Sequence, residues 1–198
     1  MPPRLFSWAL VGLGVAVAMA AMLNARQLDL AILFNDEAGH RWSVMPLLDE
    51  SLYVIAARGF QGFPEGDAAT LARLTELPLA LPTRMHGLRN VLTSVADHQS
   101  LGLSVTMEID SLSMLMDAVE AGLVATIQPG AALRRVARAG LAAVRVADEG
   151  LVRRNLLVSL SDEELSPAAL AARVVLRDVA RDLVASGDWV GAGNIHDL

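Results

Sequence analysis

Thr83, Arg84, His86 and Arg89 bring a hydroxyl, two guanidiniums and an imidazole into one short stretch. Hydroxyl and guanidinium hydrogens suit a small carboxylate, a guanidinium in bidentate fashion. These residues stand where an apolar run, Leu77 to Leu81, is stopped by Pro82 and a helical pattern starts near His86 or Gly87. A strand that turns straight into a helix aims unpaired N–H groups, and the positive end of the helix dipole, at whatever occupies the turn. Two more turns of this kind follow: Ile109 to Ser111, with Asp110 and Ser111, and Thr126 to Gly130, with Thr126 and Gln128. Together they form a candidate anion site, with Arg84 or Arg89 as the bidentate partner. Each residue also has a plainer use: Thr83 and Ser111 as helix caps, Arg89 as a solvated helix residue, His86 as part of a surface turn.

Catalysis finds weaker support. His86, Asp110 and Ser111 can be drawn as a triad, but no G-x-S-x-G places Ser111 on a nucleophile elbow. His40, His86, His98 and His196 lack metal-ligand spacing. The glycines at 12, 14, 59, 62 and 66 make neither a dinucleotide nor a P-loop fingerprint. Met107, Met114 and Met116 read as core filler. The expectation is a non-enzyme with no cofactor and no metal.

The elements that position these turns come from hydrophobic patterning. At 198 residues and 54% hydrophobic, the chain can bury a core as one domain or two small lobes. It has no cysteine, which excludes disulfides and fits a reducing, cytoplasmic setting. A formal charge of −6 argues against this chain gripping a phosphate backbone by itself. Leu28 to Phe34 reads as a central parallel strand. Asn35 to Trp42 reads as a polar loop. Val44 to Ala57 holds two extended runs separated by Asp49-Glu50-Ser51. Arg58 to Gly66 is a glycine-rich loop, after which Asp67 caps a short helix, Ala68 to Leu74. A regular alternation then follows: strand Leu77 to Leu81, helix Gly87 to His98, strand Ser104 to Ile109, helix Ser111 to Ala121, strand Leu123 to Ile127, helix Ala131 to Ala139, strand Leu141 to Val146. Such alternation with short loops implies parallel strands. A strand Asn155 to Leu160 precedes Pro167 and a helix, Ala168 to about Ser186. That helix would bury Leu170, Val174, Val175 or Leu176, Val179 and Leu183. The tail from Gly187 reads as loose.

Leu5 to Leu23 is uncharged and close to the roughly 20 residues that span a bilayer. Three readings stand: a membrane span or export signal, a buried helix, or an altered start to the reading frame.

Four segments resemble one family. NARQLDLAILF is similar to the G-R-L-D-L-A-I strand in the effector-binding domain of the LysR-type transcriptional regulators, and VMPLLDESLYVI to the hairpin that follows it. LTELPLALPTRMHGLRNVL resembles the family's L-P-L-I-L-P-x-x-x-H-G-L-R segment. MEIDSLSMLMDAVEAGLVATIQPGAAL resembles its E-x-D-S … A-G-L-G-x-T-x-L-P region. These stand in the family's order, over about Asn24 to Val184. The resemblance implies an α/β, two-lobed, periplasmic-binding-protein-like (type II) fold with mostly parallel sheets flanked by helices. Lobe I would take residues 24–76 plus 151–198 and lobe II residues 77–150. A small anionic effector, a carboxylate, would lie between them; the family's contacts carry over to Phe34, Thr83, Arg84, His86 and the region of Thr126, and the turn residues Arg89, Asp110, Ser111 and Gln128 complete the expected site. The intact regulator would be a homo-oligomer, dimer or tetramer, that meets promoter DNA through an N-terminal winged helix-turn-helix. This sequence shows Met1 to Leu23 in place of that domain and of lobe I's first strand, so the first lobe is expected to be incomplete. The alternative, on the same fold, is an exported or membrane-tethered solute-binding protein.

Overall fold

A long strand, β2 (Ser43–Ala57), is the spine of the molecule. In a computed structural model of the chain, residues 19, 21–34, 42–84, 86–136 and 140–193 are described. His40, His196, Gly12, Gly14, most of Met1 to Leu23 and most of the Asn35–Trp42 loop lie outside them.

The first half of β2 pairs antiparallel with β8 (Val152–Ser159), and β8 in turn with β1 (Leu30–Phe34). The second half pairs antiparallel with β6 (Thr126–Pro129) and β7 (Leu141–Val146). The expected break at Asp49-Glu50-Ser51 is therefore absent, and no hairpin interrupts β2. Asp49 and Glu50 stand opposite Arg154 and Arg153 in register, so the two acids are buried with their charges matched across the ladder. The irregularity falls earlier, between Pro46 and Leu48, where proline has no N–H to give the ladder. The second half of the spine also packs into the core built by the elements that follow it. Leu52, Val54 and Ala56 share a core with Leu71, Leu74, Leu79, Leu81, Leu88, Leu92 and Ile127.

Among the described residues, parallel pairing is confined to two ladders and one isolated bridge. β3 (Ala68–Ala69) runs parallel to β7, and β4 (Leu79–Leu81) parallel to β5 (Val105–Glu108) across helix α1 (Gly87–His98). A parallel bridge from Leu79 to Ala125 ties β4 to the approach of β6. Helix α2 (Leu112–Glu120) fills the next crossover. The sheet is thus mixed, and β1 is antiparallel to its partner where a parallel strand was expected. Alternation of β and α fixes direction only between strands that flank one helix, and β2 and β8 enter from outside that run.

Smaller differences have local causes. Asp67 caps no helix: Ala68 and Ala69 form β3, and only a 3₁₀ turn, Leu71–Leu74, follows. Its Leu71 N–H is taken by Asp148. Beyond β6, a 3₁₀ turn Gly130–Ala132 and a short helix α3 (Leu133–Val136) replace the longer helix over the described residues. Helix α4 (Pro167–Ala185) starts as expected, with Pro167 in its first turn and Ser166 Oγ accepting from Ala169 N–H. Its buried residues are Ala169 and Ala180, whereas Val174, Val175, Leu176 and Val179 are exposed. The helix meets the sheet through Ala180 and Val184, against Leu47, Leu48 and Leu157. The tail is ordered as far as described. Ser51 N–H donates to Gly191 O, and β9 (Ala192–Gly193) pairs with Asp49 and Glu50.

Leu23 is fully buried with Ala31, Leu33, Leu156 and Val158, and residues around it are helical, so the described end of the N-terminal segment packs as part of the fold. Among the described residues, no helix is long and apolar enough to cross a membrane.

Candidate functional site

The C-terminal ends of β4, β5 and β6 converge, and each runs directly into a turn. After β4, His86 is the N-cap of α1, its Nδ1 accepting from Leu88 N–H at 3.3 Å. After β5, Ser111 caps α2, its Oγ accepting from Met114 N–H. The two turns are joined by Asp110, which accepts from Thr83 N–H at 2.9 Å and from Thr83 Oγ1 at 3.0 Å. Thr83 thus gives its donors to a carboxylate, as its setting suggested, but the carboxylate is the protein's own. In β6, buried Thr126 donates to Ala80 O at 2.8 Å and accepts from the Gln128 amide at 3.1 Å.

A cavity of about 190 Å³ lies among these turns, lined by Pro82, His86, Asp110, Gln128, Ala131 and Arg153 together with apolar neighbours from α1 and α2. Arg153 comes from β8. Its guanidinium stacks 4.3 Å from the centre of the Phe34 ring and donates to Glu50 Oε2 at 2.6 and 3.1 Å. Glu50 is fully buried and also accepts from Ala131 N–H at 2.8 Å. The arginine is held from behind while its other face borders the cavity. Burial lowers the pKa of His86; the nearby Asp110 carboxylate raises it and Arg153 lowers it, so the imidazole lies in the fields of both charges and the net direction is down.

Of the nine residues expected at the site, His86, Asp110 and Gln128 line the cavity. Phe34, Thr83 and Thr126 hold residues that do. Ser111 is a cap, and Arg84 is exposed outside the lining. Arg89, expected as a carboxylate clamp or a solvated residue, is shielded from solvent and lies outside the cavity lining. It is buried, with Nη1 donating to Pro82 O at 3.2 Å and to Glu108 at 3.3 Å, and so braces the turn. Sequence reasoning missed Arg153 and Glu50. The available signal was complementary doublets, Asp49-Glu50 inside an apolar run and Arg153-Arg154 at the head of another.

A larger, open depression of about 780 Å³ lies where β4 begins, lined by Arg58, Gly59, Gly62, Arg73, Glu76 and Leu77 among others. Ligands of open α/β sheets bind off the carboxyl ends of strands, which favours the smaller cavity. Among the described residues, no group of three or more His, Asp or Glu side chains could hold a metal ion.

Comparison with known proteins agrees with this architecture. The chain is 28% identical over 160 residues to the nitrogen assimilation regulatory protein nac of Klebsiella aerogenes, a match covering 80% of this chain and 51% of the relative. It therefore spans about half the length of that curated relative. Its fold is similar to the effector-binding domain of QuiR in complex with shikimate, with a TM-score of 0.72, 17% identity, and coverage of 83% of this chain and 78% of that one. The regulatory domain of Synechocystis CcmR in complex with 2-PG is equally similar, with a TM-score of 0.72, 18% identity, and coverage of 84% and 80%. These neighbours share the periplasmic-binding-protein-like α/β fold. The model of the LysR substrate binding domain matches residues 11–181, and with the strand–turn–helix convergence described above this places the chain in the LysR substrate-binding domain family.

Proposed function

We propose that this chain is the sensing part of a LysR-type transcriptional regulator and binds a small carboxylate effector in the cavity bounded by His86, Asp110, Gln128 and Arg153. The observation that carries the reading is the convergence of three strand–turn junctions and one anchored arginine on a single cavity. Ligand pockets usually measure roughly 300–1,000 Å³, so a cavity of about 190 Å³ suits a small metabolite. Phe34, Thr83 and Thr126 hold residues of the wall. QuiR and CcmR, each solved with a small molecule, support a ligand-binding role.

The cavity is walled by β8 on one side and by the turns after β4, β5 and β6 on the other, so a ligand that prefers one relative placement of these walls shifts a two-state population. In the intact, cytoplasmic regulator that shift would alter the geometry of a homo-oligomer, dimer or tetramer, on promoter DNA. DNA contact would come from a separate N-terminal domain, since this chain carries a formal charge of −6. The role is sensing without turnover. An exported solute-binding protein fits less well, because the matching family and the curated relative belong to regulators.

A thermal-shift screen against small carboxylates tests the reading. At a hundredfold excess over Kd, a ligand adds about 2.7 kcal/mol of stability. Substituting Thr83→Ala or His86→Ala should abolish the shift. A shift that persists unchanged in both variants refutes the site.

A further inference from the structure

The lining of the cavity carries charged side chains of both signs. Its charged residues are Asp110 and Arg153. Arg153 is already matched by fully buried Glu50, which takes two of its N–H groups. Asp110, by contrast, receives hydrogen bonds from two neutral donors, the Thr83 N–H to Oδ1 and the Thr83 hydroxyl shared between Oδ1 and Oδ2. With the Glu50–Arg153 pair counted together, the lining carries one uncompensated negative charge, at Asp110. The neutral side chains divide the same way. Gln128 gives one amide N–H to Thr126, and its Oε1 can accept from an ammonium. His86 accepts from Leu88 N–H through Nδ1, so its neutral ring carries the proton on Nε2 and is a donor.

A simple carboxylate pairs with the donors and brings no counter-charge to Asp110, the exposed carboxylate of the lining. We propose that the ligand is amphoteric and of amino-acid size, its carboxylate toward Arg153 and His86 and its ammonium toward Asp110 and Gln128. The volume agrees: about 190 Å³ equals the share of some six liquid waters at roughly 30 Å³ each. This rests on the effector reading above and narrows its ligand class.

The test is a thermal-shift and calorimetric panel on the full chain. It comprises the common L-α-amino acids and, for each, the deaminated acid, the α-hydroxy acid and the decarboxylated amine. The expected result is that one or more amino acids raise Tm while their three counterparts bind about tenfold more weakly or not at all. Asp110→Asn keeps an oxygen for Thr83 and removes the charge. In that variant the amino acid should lose about tenfold in affinity and bind no better than its deaminated acid, with far-UV circular dichroism unchanged. Simple or hydroxy acids binding as well as amino acids, or Asp110→Asn leaving amino-acid affinity intact, overturns the amphoteric assignment and leaves the effector reading standing. No shift from any compound in the panel overturns both.

Discussion

At the scale of single residues, the site depends on which donors are already spent. Thr83 donates to Asp110, and Arg89 Nη1 donates to Pro82 O and Glu108, so both side chains brace the turns. His86 gives this a pH signature. Burial lowers its folded pKa below the ordinary 6.5, so between the two values the unfolded chain binds the proton that the folded chain refuses. Its contribution is present in full above pH 6.5 and is lost as pH falls through the lowered folded value. Urea denaturation at several pH values should show stability falling as pH drops below about 6.5, with a shallower fall in His86→Gln. An identical pH profile in the variant would count against the burial of the ring. Glu50 makes a sharper case. Glu50→Ala strands Arg153 and the Ala131 N–H, and should cost about 3–5 kcal/mol by the same denaturation measurement. A loss below 1 kcal/mol, roughly the value of an exposed pair, would mean that solvent reaches the ion pair.

At the scale of elements, local signals were legible and distant ones were not. Helix α1 begins at Gly87 and strand β7 at Leu141, as the sequence indicated, because His86 and Gly140 punctuate the chain beside them. Continuity of β2 through Asp49-Glu50 was not legible. Two acids in a row read as a turn until partners about a hundred residues away, Arg153 and Arg154, are placed opposite them. Nor was the rotation of α4, since a stripe of valine and leucine marks an apolar face without saying what covers it. The tail went unread because its anchor is a steric fit. A Cβ on Gly130 would lie 1.9 Å from Val190 O, and Gly191, at φ +74°, would place one 2.7 Å from the Tyr53 ring. Gly130→Ala should therefore displace residues 189–193 and cost about 1–3 kcal/mol. Faster hydrogen exchange at Ser51, whose N–H is bound by Gly191 O, would report it. Unchanged exchange there would contradict the packing.

At the scale of the whole molecule, two features face outward. Val174, Val175, Leu176 and Val179 form an exposed apolar stripe on α4, at 46, 59, 38 and 47% exposure. Contiguous apolar surface of this kind marks an interaction site more often than solvent. If this stripe joins copies of the chain, light scattering should find the wild type larger than a monomer and Val175→Asp/Val179→Asp monomeric. A wild type monomeric at every concentration would remove the stripe from the oligomer. The other feature is the cavity between the β4, β5 and β6 turns and β8, which the proposed sensing role requires to be the ligand site. Hydrogen–deuterium exchange, with the compound that most raises Tm, tests this directly. The expected protection falls on the segments 82–88, 109–112 and 128–132, which line the cavity. Protection that falls instead on 57–62 and 73–78, around the larger depression, would contradict it.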